Sequence, residues 1–166
     1  MSEQNFDPTN IFAALNRGGV KSLVIGGIAV VLYGVARVTW DVDLVVELTT
    51  PNLNQLSVAL RRIGFVPRVP APPEGLADPK TRRLWIQRKN MQDYSCVALK
   101  SPQRIIDVMI NPPPNFTQLY RHRTTVKVRG MPVPLMPVKA LARMKRAAGR
   151  FQDLLDLEDL KRLRLI

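Results

Sequence analysis

Apolar positions recur at helical spacing near both ends of the chain and gather into short runs between them. Asp7 or Thr9 can cap a first helix from Pro8 to Arg17, which Gly18 and Gly19 end. Ser22 to Ile25 (SLVI) is a short apolar run stopped by Gly26-Gly27, and it reads as a buried strand. Ile28 to Gly34 can be a short helix, but its β-branched residues give it poor propensity, so packing must hold it. Asp41 to Leu48 (DVDLVVEL) alternates and then turns apolar, as a central strand does. Pro51 opens an amphipathic helix with Leu53, Leu56, Leu60 and Ile63 at helical spacing and Gly64 as its stop.

Further on, Phe65 to Val69 suits a short edge strand, and Pro70 to Pro79, with four prolines and a glycine, a loop. Thr81 to Asn90 is basic and reads as a helix or an extended arm. Ser95 to Leu99 and Arg104 to Ile110 are strands, the second stopped by Asn111 and the prolines after it. Thr124 to Val128 and Val133 to Met136 flank Arg129-Gly130 as a hairpin. From Pro137 the pattern turns helical, with Gly149 separating two helices. The order predicts an α/β (α+β) fold: a mixed sheet flanked by helices, ending in a helical pair. At 166 residues a single domain is expected, with 1–136 as its core and 137–166 as its tail helices.

Charge changes this picture. Lys and Arg total 25 against 13 Asp and Glu, a net charge of +12 that favours a phosphate-rich partner. Cys96 is the only cysteine, which excludes an intramolecular disulfide and a cysteine-based zinc site. His122 is the only histidine and lies between Arg121 and Arg123, with nothing near it to suggest a catalytic triad. Leu23 to Ala36, the longest apolar stretch, is too short to span a membrane and holds three glycines. The first residues, MSEQNFDPTN, lack the layout of a signal peptide, so a soluble cytoplasmic protein without membrane partners is expected.

Three features carry chemistry. Gly26-Gly27 stands between a strand and a helix. Asp41 and Asp43 follow. Asp107 sits among Ile105, Ile106, Val108 and Met109. Strand alternation puts Asp41 and Asp43 on one face, about 7 Å apart along the chain. Like charges so placed repel unless a cation lies between them. If the strand of Asp107 is a neighbour, three carboxylates converge, a hard-oxygen set suited to Mg²⁺, with Mn²⁺ as the alternative. A side-chain-free turn would let backbone N–H groups approach a triphosphate at the helix start. Neither GxxxxGK[ST] nor GxGxxG is present, which excludes P-loop and Rossmann readings. Each feature alone has a plainer reading: a simple turn, a solvated strand edge, a carboxylate paired with Arg37 or Arg104. Their combination favours a metal centre. Trp85, in the basic stretch with Arg82, Arg83, Arg88 and Lys89, is read as buried, with base stacking as the alternative.

The run GGIAVVLYGVARVTWDVD followed by IIDVM resembles the nucleotidyltransferase superfamily, the DNA polymerase β-like fold. The pattern GG…YG…R.T.D.D is similar to small bacterial members, including toxin-type ones, and the tail LARMKRAAGRFQDLLDLEDL resembles their helices. The resemblance covers roughly residues 20 to 163. It implies that Asp41, Asp43 and Asp107 are catalytic and hold the metal ions, Asp107 also helping to deprotonate the acceptor. It implies that Gly26, Gly27, Arg37 and Lys145 bind the nucleotide, and that Arg150 and Asp153 brace the tail helices. The implied reaction moves a nucleoside monophosphate from a nucleoside triphosphate to an acceptor hydroxyl, with Mg²⁺. The charge favours RNA, such as a tRNA end, as acceptor. A toxin role would add an acidic antitoxin as partner. The rivals are an aminoglycoside-type small-molecule nucleotidyltransferase and an inactive, binding-only fold.

Overall fold

The computed structural model describes residues 7–166; residues 1–6, the start of the segment read above for a signal, lie outside the described residues. Asp7, just ahead of the N-cap Pro8, accepts a hydrogen bond from the Thr9 backbone N–H at 3.0 Å at the start of α1, Thr9–Arg17. Strand β1, Ser22–Ile25, is buried at every position, so both sheet faces are covered there. Helix α2, Gly26–Leu32, follows without a turn. It is succeeded by β2, Val42–Val46, and α3, Thr50–Arg62. The edge strand β3, Phe65–Pro67, leads into a 3-10 turn at Pro73–Ala77 and then α4, Pro79–Lys89. Strands β4, Asp93–Ala98, and β5, Ser101–Met109, form the next hairpin. Then come α5, Phe116–Arg121, and the hairpin β6, Thr124–Val128, with β7, Met131–Leu135. Helices α6, Val138–Ala148, and α7, Phe151–Arg162, finish the chain.

The seven strands make one mixed sheet in the order β3-β4-β5-β2-β1-β7-β6. Strand β2 runs antiparallel to β1 and parallel to β5, and β1 runs parallel to β7. One row across the sheet therefore collects the end of β1, the start of β2, the later part of β5 and the front half of β4. In register, Ile25 pairs with Asp43, Asp43 with Asp107, and Ser95 with Asp107. The core beneath is built from Leu23, Val24, Leu44, Val45, Ile106, Val108 and Leu135, all essentially without exposure. Burying such side chains is worth about 1.5–3 kcal/mol each.

Several boundaries differ from the sequence reading. The glycine pair is the first turn of α2 and not a turn before it. The Thr81–Asn90 stretch is a helix, capped by Asp78, whose carboxylate accepts from the backbone N–H of Lys80 and Thr81. Trp85 is buried and stacks on Tyr94 with ring centroids 5.9 Å apart, so it is not free to stack on a base. Helix α5 lies in a segment where the proline run signals only a break. No helix among the described residues is long and apolar enough to cross a membrane.

Candidate active site

Over the row shared by β1, β2, β5 and β4, a cleft of about 650 Å³ opens between the sheet and helices α6 and α7. Gly26, Gly27, Arg37, Asp41, Asp43, Asp107 and Lys145, the residues singled out in the sequence, all line it. Asp43 and Asp107 are direct neighbours on parallel strands. Asp41 stands just before β2, two positions from Asp43 and on the same side.

Asp43 is the most perturbed acid. Burial, and then the charges of Asp107, Asp93 and Asp41, push its carboxyl from 3.8 up to about 7, with Lys145 opposing. Asp41 is raised by burial and by Asp107. The carboxylate wall thus carries more negative charge than its surroundings balance. Among the described residues no group of three or more acids, histidines or cysteines is arranged to hold a metal ion by itself. An open set fits Mg²⁺ better than a cage does, because that ion keeps several waters and takes substrate phosphates as ligands. The donor chemistry and the unbalanced charge therefore suit a divalent cation at Asp41, Asp43 and Asp107.

The glycines have a steric reason. Gly26 has φ +64°, and a Cβ there would stand 1.9 Å from Oδ2 of Asp43. A Cβ on Gly27 would stand 2.5 Å from the Thr39 hydroxyl and 3.1 Å from the Arg37 guanidinium. The missing side chains make room for the acid and for the loop that carries Arg37. They do not leave an empty cradle.

The opposite wall is basic and braced. Lys145 on α6 donates to Asp153 at 3.1 Å and to Asp156 at 2.7 Å, both on α7. Arg37 donates to the same Asp156 oxygen at 2.6 Å. Arg150 donates to Asp153 at 2.7 Å, and Gln152 to Asp156 at 3.1 Å. Burial pushes Asp153 up, but its bonds from Arg150 and Lys145 prevail and hold it below the usual carboxylate range. Three cations share two buried carboxylates, which leaves one positive charge uncompensated at this wall.

Three residues were missed in the sequence. Asp93, at the start of β4, lines the cleft and is raised by burial and by Asp107, with Arg150 opposing. Ser95, two positions on, donates to Oδ1 of Asp107 at 2.5 Å. The alternation that pairs Asp41 with Asp43 would have put Asp93 and Ser95 on one face too. Asp156 was also missed; its signal is an acid three residues from Asp153 in a leucine-rich helix.

No protein-family model matches the sequence, and no curated protein matches it at a significant level. Solved structures do match in shape. The lincomycin-bound lincosamide antibiotic adenylyltransferase LnuA aligns over 95% of this chain and 98% of its own, at 14% identity and TM-score 0.61. An antigenic nucleotidyltransferase-like protein from Paracoccidioides brasiliensis aligns over 98% and 78%, at 17% identity and TM-score 0.59. ANT(2")-Ia, solved with adenylyl-2"-tobramycin, aligns over 90% and 83%, at 12% identity and TM-score 0.57. The chain has the nucleotidyltransferase fold.

Proposed function

We propose that the cleft transfers a nucleoside monophosphate from a nucleoside triphosphate to an acceptor hydroxyl, with Mg²⁺ or Mn²⁺ held by Asp41, Asp43 and Asp107. The observation that carries this reading is the crowding of these carboxylates on adjacent strands opposite a basic wall. The metal ion would neutralise phosphate charge and stabilise an in-line displacement. In the transfer, the acceptor oxygen forms a bond to the α-phosphorus as the bond to the pyrophosphate oxygen breaks. The hydroxyl proton passes to Asp107, whose orientation Ser95 fixes. Arg37 and Lys145 place positive charge beside the departing pyrophosphate, held there by Asp156 and Asp153. Gly26 and Gly27 let the acid seat and the Arg37 loop close over the end of β1.

The acceptor is read as RNA, a tRNA end being one form, on the strength of the +12 charge. A toxin role with an acidic antitoxin stays attached to that reading; its test is growth arrest on expression, lost in Asp41→Asn. A small-molecule acceptor is the second reading, favoured by the antibiotic adenylyltransferases among the structural neighbours. The deciding experiment incubates the protein with each labelled nucleoside triphosphate, Mg²⁺, and in turn RNA, protein, an aminoglycoside and a lincosamide. Label should appear in one acceptor class and vanish in Asp41→Asn and Asp43→Asn. Nucleotide binding that ignores Mg²⁺ and both substitutions would overturn the enzymatic reading and leave a binding-only fold.

A further inference from the structure

Helix α4 is an unusual surface helix. Its inward side is Thr81, Arg82, Trp85 and Ile86, of which only Trp85 is fully buried. Its outward side is Lys80, Arg83, Leu84, Gln87 and Arg88, all exposed and spaced i, i+3, i+4, i+7, i+8. The helix contains no acid, and among the described residues none of its Lys or Arg side chains is in an ion pair. By contrast, the cleft cations Arg37, Lys145 and Arg150 are all paired. The helix is fixed in place nonetheless. Asp78 caps its start, Trp85 stacks on Tyr94, and the Tyr94 hydroxyl donates to the Ala71 carbonyl at 2.6 Å.

Its position matters. Lys89 ends the helix, and Gln92 and Asp93, three and four residues on, line the cleft. The outward row thus runs about 12 Å along the helix, from Lys80 to Arg88, toward the transfer site. We propose that this face docks the phosphate backbone of a single-stranded RNA and feeds its hydroxyl to the cleft; this rests on the transfer reading above. The chemistry favours RNA over an acidic protein. Protein interfaces have an apolar, aromatic-rich core depleted in charge, and this face offers one leucine. Nucleic-acid interfaces are polar and strongly positive, and here four of the five outward side chains are donors, three of them cationic. RNA also brings the acceptor hydroxyl that the transfer needs.

The test measures binding of a labelled single-stranded RNA by anisotropy over a salt series, without nucleotide. Lys80→Gln, Arg83→Gln and Arg88→Gln together should weaken it about tenfold or more and flatten the salt slope by about two, three phosphate contacts being lost. The charge-matched control is Arg17→Gln, Arg61→Gln and Arg62→Gln. These exposed residues lie on α1 and α3, and none of them lines the transfer cleft. The control should keep the α4-dependent part of the slope. Arg83→Gln alone should lose about a third of the effect, which guards against a misfolded triple variant. Equal losses in the control, or an unchanged slope in the α4 variant, would overturn the docking face. So would displacement by poly-glutamate at a lower charge concentration than RNA. Transfer is read separately, from labelled nucleoside triphosphate with Mg²⁺. RNA binding that depends on α4 in a protein that transfers to nothing upholds the docking face and overturns the reaction. Transfer to RNA that is indifferent to the α4 substitutions does the reverse.

Discussion

Asp43 shows what the fold does to a single side chain. It sits next to Asp107, near Asp41 and Asp93, and over a glycine that leaves it just enough room. Its carboxyl rises from 3.8 to about 7, so between those values the folded chain holds the proton more tightly than the unfolded chain. The stability that proton contributes is complete below about pH 4 and gone above about pH 7. Without divalent cations, this group makes the protein less stable at pH ~8 than at pH ~5. Asp43→Asn cannot ionise and should lose the fall, becoming more stable than the parent above pH ~7 by roughly 2 kcal/mol after screening by cleft water. Melting temperatures of both proteins against pH, in EDTA, check this; parallel curves would sink it. The same substitution should remove transfer activity, so stability and activity move in opposite directions at this residue.

Two junctions between elements hold the site. At the β1–α2 junction, Gly26→Ala forces a side chain onto the Asp43 carboxylate in a backbone conformation that costs roughly 1–2 kcal/mol for an L-residue. Stability should fall by about that much, whereas transfer should fall more than tenfold, because the acid must leave its seat; circular dichroism and initial rates separate the two. At the α6–α7 junction, Asp156 serves both Arg37 and Lys145. Asp156→Asn leaves two cations short of a counter-charge and should cost about 3–5 kcal/mol, read as a shift in denaturant midpoint. Asp107 was legible because a carboxylate in an apolar strand is expensive and demands a reason. Its pairing with Asp43 was not, since periodicity says what a strand is and not which strand lies beside it. The start of α2 was misplaced because two glycines resemble a turn, whereas here they pack under Asp43 and Thr39. Asp93 was hidden because polar Asn90 and Gln92 precede it and mask the strand start. Lys145 was visible as a tail lysine, but its burial between two acids needs α7 to pack against α6.

Across the whole molecule the charge is divided and not spread evenly. A net +12 surrounds a cleft in which Asp41, Asp43, Asp93 and Asp107 stand together. Monovalent salt and divalent cation should therefore stabilise the protein by different routes. Sodium chloride screens the general repulsion among Lys and Arg, an effect that grows smoothly as the Debye length shortens below about 10 Å. A divalent cation adds a binding term that grows with the logarithm of its concentration above its dissociation constant. At matched ionic strength and pH ~8, MgCl₂ should raise the melting temperature above NaCl by several degrees, about 2–4 °C for each kcal/mol of binding. The excess should vanish in Asp41→Asn and Asp43→Asn. It should also shrink toward pH ~5, where Asp43 holds its proton and competes with the ion. The α4 triple variant should show the opposite pattern, keeping the Mg²⁺ excess while losing part of the NaCl effect with three of its positive charges. An Mg²⁺ excess that survives both aspartate substitutions would place the ion elsewhere on the protein and remove the carboxylate wall from the mechanism.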